Sequence, residues 1–260
     1  MNRTLKRALL TLGVLVLVLV AVAGVGIAEM FAGLRPVEDG RDINGMRVIA
    51  DGFSTMTLVP AGERDLVLMD AGMDGNAEAL RAELARRGRQ LADVKAVFLT
   101  HGHGDHIGGV RQLPNAEVIA MAAEVAIAEG RESPASPMGR MMPASPTGVR
   151  VTRTIADGET VTIGAASVRA FAVPGHTAGS AAFLVNDVLF VGDSAQINAD
   201  GEIRPAPWLV TDDRAQNRAS LVRLQQRLRD EQVRVAAIVA AHSGPAEGDT
   251  PLAAFAAAQR

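Results

Sequence analysis

The sequence predicts an α/β or α+β fold carried behind one membrane-type helix. Three features lead there. Short β-type runs alternate with amphipathic helical stretches along most of the chain, as they do when helices cover both faces of sheets. No segment repeats at a fixed period. A charge-free apolar stretch stands alone at the N-terminus, directly behind Arg3, Lys6 and Arg7.

That stretch, "ALLTLGVLVLVLVAVAGVGIA", runs from Ala8 to Ala28. A helix that crosses the hydrocarbon layer needs about 20 apolar residues, a length this run reaches. The core of a signal peptide is shorter, roughly 7–15 residues. Small-x-small patterns suited to cleavage stand at Ala21-Val22-Ala23 and Gly26-Ile27-Ala28. The length favours a membrane-anchored protein over one secreted after signal cleavage. Either reading leaves the basic end in the cytoplasm and the rest of the chain outside it. Residues 1–33 are therefore read as the anchor or signal segment. Residues 34–46, within the Gly-, Pro- and charge-rich "FAGLRPVEDGRDING", are read as a linker. Residues 47–260 are one folded domain.

Within that domain "MRVIA", "FSTMTLV" and "DLVLMD" read as strands, the last ending in "DAG". Residues 76–88 carry Leu80 and Leu84 four apart, Asn76 as the expected cap and a Gly stop, which predicts an amphipathic helix. "VKAVFLT" is the strand before a histidine cluster, and "AEVIA" is another, followed by a helix near 121–129. The prolines of "SPASPMGRMMPASP", residues 133–146, exclude a regular element. "ETVTIGAASVRAFAV" reads as two strands about Gly164; "AAFLV" and "VLFVGD" are two more. Residues 213–230 form a polar helix with Leu221, Leu224 and Leu228 on one face. "VAAIVAAHS" is the last strand, and a short Ala-rich helix closes the domain.

Composition removes several function classes. There is no cysteine, so disulfides, thiol nucleophiles and thiolate metal ligands are excluded. Net charge is −3 and no block of Lys or Arg lies beyond the first seven residues, which argues against a nucleic-acid partner.

The chain has only five histidines, and three of them fall within "HGHGDH", residues 101–106. His101, His103, Asp105 and His106 follow one strand; His176, in "VPGHTAGS", follows another; Asp193 ends "LFVGD" and His242 ends "VAAIVAAH". If those strand ends share one edge of the sheets, the seven side chains meet. Imidazole and carboxylate are the donors of Zn²⁺ and its first-row neighbours. Five imidazoles and two carboxylates exceed what one tetrahedral ion uses and fit two ions sharing a bridge. The glycines at 102, 104, 108 and 109 would supply the backbone freedom that turns alternate side chains inward.

"THGHGDH", with "PGHTAGS", "FVGDS" and "AHSGP" downstream, resembles the metallo-β-lactamase superfamily from about Val48 to His242. The resemblance implies an αβ/βα four-layer sandwich with a metal site at the sheet edge. Carried over residue by residue, it implies that His101, His103 and His176 hold a first metal. Asp105, His106 and His242 would hold a second, and Asp193 would bridge them. Two Zn²⁺ are expected, and iron and manganese suit the same donors. In "LMDAG", Asp70 would accept a hydrogen bond from a ligand histidine and orient it; the alternative is a plain turn aspartate. "DGETVTIG" is read as a structural turn.

The implied function is a dinuclear zinc-dependent hydrolase that cleaves an ester, thioester, lactone or amide of a small-molecule substrate with a hydroxide held by the metals. Asp105 is its catalytic residue, positioning the hydroxide and accepting a proton. Departures from subgroup patterns narrow the family. The cysteine ligand of one β-lactamase subgroup is absent, and Asp193 is a ligand that cysteine-free β-lactamases do not use. The 18 residues after His242 are too few for a glutathione-binding helical part, and the tyrosine of quorum-signal lactonases is missing. Further motifs and basic surfaces of nuclease members are also missing. The alternatives are a mononuclear-iron sulfur dioxygenase of the same fold, a β-lactamase, and a non-catalytic metal-binding membrane protein. Met138, Met141 and Met142 lie in the Pro-rich loop, read first as a plain surface loop and otherwise as a lid over an apolar or lipid-like substrate. Trp208 either lines the pocket or packs.

Overall fold

Two sheets pack face to face, with helices on both outer faces, in the computed structural model, which describes residues 2–259. The first sheet takes its strands in chain order: β1 (Asp42–Ile43), β2 (Met46–Asp51), β3 (Ser54–Pro60), β4 (Leu66–Met69), β5 (Val94–Phe98), β6 (Glu117–Met121) and β7 (Arg153–Ile155). The second contains β8 (Thr160–Ile163), β9 (Ala166–Ala172), β10 (Ala181–Val185) and β11 (Val188–Gly192). A separate hairpin of β12 (Ala195–Ile197) and β13 (Ile203–Pro205) follows, then β14 (Ala237–Ala240) and β15 (Ala246–Glu247) complete the second sheet in the order β15-β14-β11-β10-β9-β8. The helices are α1 (Arg3–Phe31), α2 (Glu78–Arg86), α3 (Gly104–Ile107), α4 (Val125–Ala128), α5 (Arg214–Asp230) and α6 (Thr250–Ala258).

The period of two along each strand builds the layers. On β4, Val67 and Met69 point between the sheets while Leu66 and Leu68 point outward to the α2 side. On β10, Ala181, Phe183 and Val185 point between the sheets, and Ala182 points to the layer of α5 and α6. Phe98 and Phe183 meet edge to face across the central layer, ring centroids 5.4 Å apart. Leu221, Leu224 and Leu228 seal α5 onto the second sheet, and Asp213 caps it by accepting from the Gln216 N–H.

Strand direction places the site. β4 and β5 are parallel, so their C-terminal ends leave the first sheet at one edge. β11 and β14 are parallel, and β9 runs the same way because β10 is antiparallel to both β9 and β11. The residues that follow these strands touch within and across the two sheets, Asp70 to Thr100, His101 to His176 and Asp193 to His242, so all five strand ends open on one rim.

Three local expectations change. Asn76 does not cap α2. The Asp74 carboxylate does, accepting from the backbone N–H groups of Asn76 and Glu78, because Ala77 turns into left-handed backbone ahead of the helix. Residues 34–46 are not a free linker. Their backbone is paired: Arg35 N–H donates to Ile197, Gly244 N–H donates to Arg35, and β1 joins β2. Side chains add to this: Arg35 Nη1 donates to the Pro245 carbonyl, and Asn44 Nδ2 to the Asn186 carbonyl. The glycines of the histidine loop do not use left-handed backbone; Gly102, Gly108 and Gly109 permit close approach, while Gly104 faces open space. A Cβ on Gly108 would fall 2.5 Å from the Met73 carbonyl, and one on Gly102 at 2.5 Å from the Ala128 nitrogen.

Along α1 the apolar side chains are exposed, Leu10 by 72 % and Leu17 by 70 %. Leu9–Phe31 is long and apolar enough to cross a membrane. Among the described residues, contacts to the domain come from its last turns. Glu29 pairs with Arg214 and accepts from the Trp208 N–H, and the Met30 carbonyl accepts from Gln196 Nε2 at 2.8 Å.

Candidate metal centre

The seven residues singled out in the sequence meet on the rim. Three imidazole nitrogens form a near-equilateral triangle: His101 Nε2 to His103 Nδ1 is 3.0 Å, and His176 Nε2 is 3.1 Å from each. A tetrahedral zinc with Zn–N bonds of about 2.0–2.1 Å needs donor separations of about 3.3–3.4 Å, close to this triangle. Asp193 Oδ2 stands over it, 3.7 Å from His176 Nε2 and 4.0 Å from His101 Nε2. A second group lies beside the first. His242 Nε2 is 2.9 Å from Asp193 Oδ2 and 3.2 Å from Asp105 Oδ2, and His106 Nε2 is 3.3 Å from Asp193 Oδ1. Two donor sets thus share Asp193: His101, His103, His176 with Asp193, and Asp105, His106, His242 with Asp193.

A cation fits this arrangement for a specific reason. His106 Nε2 and Asp193 Oδ1 are buried, aimed at each other's neighbourhood, and have no hydrogen-bond partner. Buried polar atoms are ordinarily paired, and an ion between them would satisfy both.

Hydrogen bonds behind the rings fix their orientation. Asp70 sits at the end of β4 in left-handed backbone, φ 55°. Its Oδ2 accepts from His106 Nδ1 at 2.9 Å and from Thr100 Oγ1 at 2.7 Å, and its Oδ1 accepts from the Thr100 N–H. With its hydroxyl proton given to Asp70, Thr100 Oγ1 accepts from His101 Nδ1 at 3.2 Å. One carboxylate therefore orients a ring in each donor set, and Nε2 of both is left as the donor atom. Asp70 is more than a turn aspartate. Thr100 needs Gly192 opposite, where a Cβ would come within 2.3 Å of its Oγ1. His242 Nδ1 donates to the Phe53 carbonyl at 2.7 Å, and His176 Nδ1 lies 3.3 Å from Thr211 Oγ1.

Electrostatics separate the two sets. Burial pushes His103 down to about 4 and His176 down to about 3, and takes His101 well below the usual imidazole range. Burial also pulls on His106 and His242, but Asp193, with Asp70 and Asp105 close by, outweighs it. His106 is raised well above its ordinary value and His242 up to about 10. Burial would raise Asp193 and Asp105; the charges of His242 and His106 reverse that and hold both below the usual carboxylate range. The first set offers neutral nitrogens, and the second balances carboxylates against imidazoles.

The donors floor a cavity of about 650 Å³, open to solvent, onto which His103, Asp105, Asp193 and His242 face. Met138 and Met142 line it. Met141 does not: it points away and is 83 % exposed. Trp208 is also off the cavity. It packs on α1, where a Cβ on Gly26 would lie 3.0 Å from its ring.

The family model described as Metallo-beta-lactamase superfamily matches residues 49–242. The chain belongs to that superfamily. It is 32 % identical over 154 residues to a hydroxyacylglutathione hydrolase of Cupriavidus metallidurans, 54 % of this chain and 51 % of that protein. It is 30 % identical over 180 residues to the atrochrysone carboxyl ACP thioesterase AgnL7 of Paecilomyces divaricatus, 65 % of this chain and 50 % of that one. The chain spans about half the length of these curated relatives. The fold is similar to that of the metallo-β-lactamase MIM-1 of Novosphingobium pentaromativorans, TM-score 0.65 at 22 % identity, covering 87 % of this chain and 88 % of that one. The four-layer sandwich is therefore the superfamily fold, as its motifs imply.

Glu124 is a site residue that motif reading missed. Fully buried, it accepts from the Gly102 N–H at 2.7 Å with one oxygen, and from Thr177 Oγ1 at 2.7 Å and the Gly179 N–H at 3.0 Å with the other. It clamps the loop of His101 and His103 to the loop of His176. Burial, against these three donors, pushes its carboxyl up to about 7. A raised folded value adds stability that is fully present below the unfolded value of 4.5 and is lost as pH rises through about 7. Glu124→Gln cannot titrate. The stability difference between wild type and this variant, measured by denaturant unfolding of the metal-free proteins, should narrow by up to about 3 kcal/mol between pH 4.5 and 8. A constant difference would show that the Glu124 carboxyl is not raised in the folded protein.

Proposed function

We propose that the chain is a dinuclear zinc-dependent hydrolase that cleaves an ester, thioester, lactone or amide bond, from an extracytoplasmic domain held at the membrane by α1. The observation that carries the hydrolase reading is the pair of donor sets sharing Asp193, with two buried donors otherwise unpaired. His101, His103, His176 and Asp193 would hold one ion; Asp105, His106, His242 and Asp193 the other. Such ions supply an activated water near neutral pH and an electrophile for the carbonyl oxygen. The protein's own part falls to Asp105, which faces the cavity with 22 % of its side chain exposed. Its carboxylate holds the attacking water and takes its proton. The water oxygen bonds to the acyl carbon, the bond to the leaving oxygen, sulfur or nitrogen breaks, and the proton passes from Asp105 to the leaving atom. Among ester, thioester, lactone and amide, the ACP thioesterase relative favours a thioester.

The membrane reading rests on α1. Its apolar faces are exposed, while its last turns are built into the domain through Glu29 and Met30. A leader removed after Ala23 or Ala28 would take most of that helix away. A reporter fused after Arg260 should be active only outside the cytoplasm, and activity of a cytoplasmic reporter there would reverse the orientation. For the chemistry, a panel of ester, thioester, lactone and β-lactam substrates is assayed with elemental analysis of the same sample. About two zinc ions per chain and thioester turnover are expected. One iron per chain with oxygen uptake would point to a dioxygenase instead.

A further inference from the structure

The cavity above the donors is built partly from the membrane helix. Met30 and Phe31, the last residues of α1, line it together with Phe53, Met73, Met138 and Met142. The contacts form a continuous line to the chemistry. The Phe31 ring meets Phe53 edge to face at 5.8 Å; the Phe53 ring lies tilted by 36° against His242, centroids 5.6 Å apart, and the Phe53 carbonyl holds that same histidine. Among the described residues, no Lys or Arg lines the cavity. Glu132 adds a negative charge to the wall, and the one cationic side chain there, His242, belongs to the donor sets, so away from the donors an anionic group meets no counter-charge. Phe31, Phe53 and Met142 stay 45 %, 47 % and 61 % exposed, an apolar path from the side of α1 to the donor sets. Methionine side chains on a loop adapt to a flexible apolar ligand better than a rigid wall does.

Resting on the hydrolase and anchor readings above, we propose that the substrate is an amphiphile. Its acyl chain lies between the end of α1 and the 133–146 loop, reached from the membrane surface, and its scissile carbonyl sits over Asp105 and His242. The size agrees: about 650 Å³ is in the range of about 300–1,000 Å³ typical of small-molecule sites.

Two measurements on the full-length protein in lipid nanodiscs test this. The first is kcat/KM on N-acetylcysteamine thioesters from acetyl to octanoyl. Burying a methylene contributes about 0.8 kcal/mol, about fourfold, so the octanoyl-to-acetyl ratio should exceed tenfold, and Met142→Gln and Phe31→Gln should each lower that ratio. The second needs no turnover: a diazirine-bearing decanol is photolysed with the protein and the labelled residues are identified by mass spectrometry. Labels on residues 30–31, 53, 73 and 138–142 are expected. A flat ratio with active enzyme, or labels confined to the apolar stretch 9–25, would overturn the acyl site. If no thioester, ester or lactone is hydrolysed at any length, the hydrolase reading fails, and the labelling pattern alone decides the acyl site.

Discussion

Asp105→Asn should lower turnover by about 10²–10⁴-fold while an ion stays in the His101, His103 and His176 set, the usual contribution of a group that moves a proton in the rate-limiting step. Asn keeps the size of the side chain and one neutral oxygen, so packing against His106 and His242 is preserved. It cannot take a proton from the attacking water. The first donor triangle does not include position 105, so its ion should be retained. His242 loses one of the two carboxylates within 3.2 Å but keeps Asp193 at 2.9 Å, so the second set is weakened rather than dismantled. Turnover and metal content are measured on one sample, with zinc raised until both sets fill. Near-wild-type turnover with both ions bound would make Asp105 a ligand only and would remove it from proton transfer.

What the sequence made legible, and what it did not, follows from where the information lies. The five histidines and Asp193 sit at strand ends in short motifs, so residue type and spacing sufficed to group them, and parallel pairing of β4 with β5 and β11 with β14 brought them together. The strands were readable because both faces are covered, which leaves runs such as the "LVLM" of β4 apolar throughout. Glu124 was not readable. It lies in a helical stretch where a carboxylate ordinarily faces water, and its partners are 22, 53 and 55 residues away. Thr100 was silent for the same reason: its relay from His101 to Asp70 exists only once β4 lies beside β5. Asp74 displaced Asn76 as the α2 cap because the chain turns left-handed at Ala77, which capping preference alone does not specify. The docking of residues 30–36 uses backbone groups, the Arg35 guanidinium on the Pro245 carbonyl and one aromatic pair, all with partners far off in sequence, so a polar, proline-bearing segment looked like a tether.

Asp193→Ala should have the widest effect of any single change, weakening both ions at once, by more than about 100-fold each, and leaving no measurable turnover. The bound follows by comparison: removing a partner that only orients a ligand costs typically about 10–100-fold in metal affinity, and Asp193 is itself placed as the ligand. One of its oxygens lies 3.3 Å from His106 Nε2 and the other 2.9 Å from His242 Nε2, with His176 and His101 at 3.7 and 4.0 Å. Truncation removes a donor from each set, one of the three carboxylates that face His106 and one of the two that face His242, so zinc loses both coordination and charge neutralisation there. The change lies on the rim rather than in any of the three apolar clusters, and circular dichroism should stay that of the folded protein. The measurement is zinc content and affinity by competition with a chromophoric chelator, with His242→Ala as the comparison. His242→Ala should lose mainly the second ion and keep the first, because His242 belongs to one set alone. If Asp193→Ala also loses a single ion and binds the other as tightly as wild type does, the two sets do not share that carboxylate and the bridged arrangement is wrong.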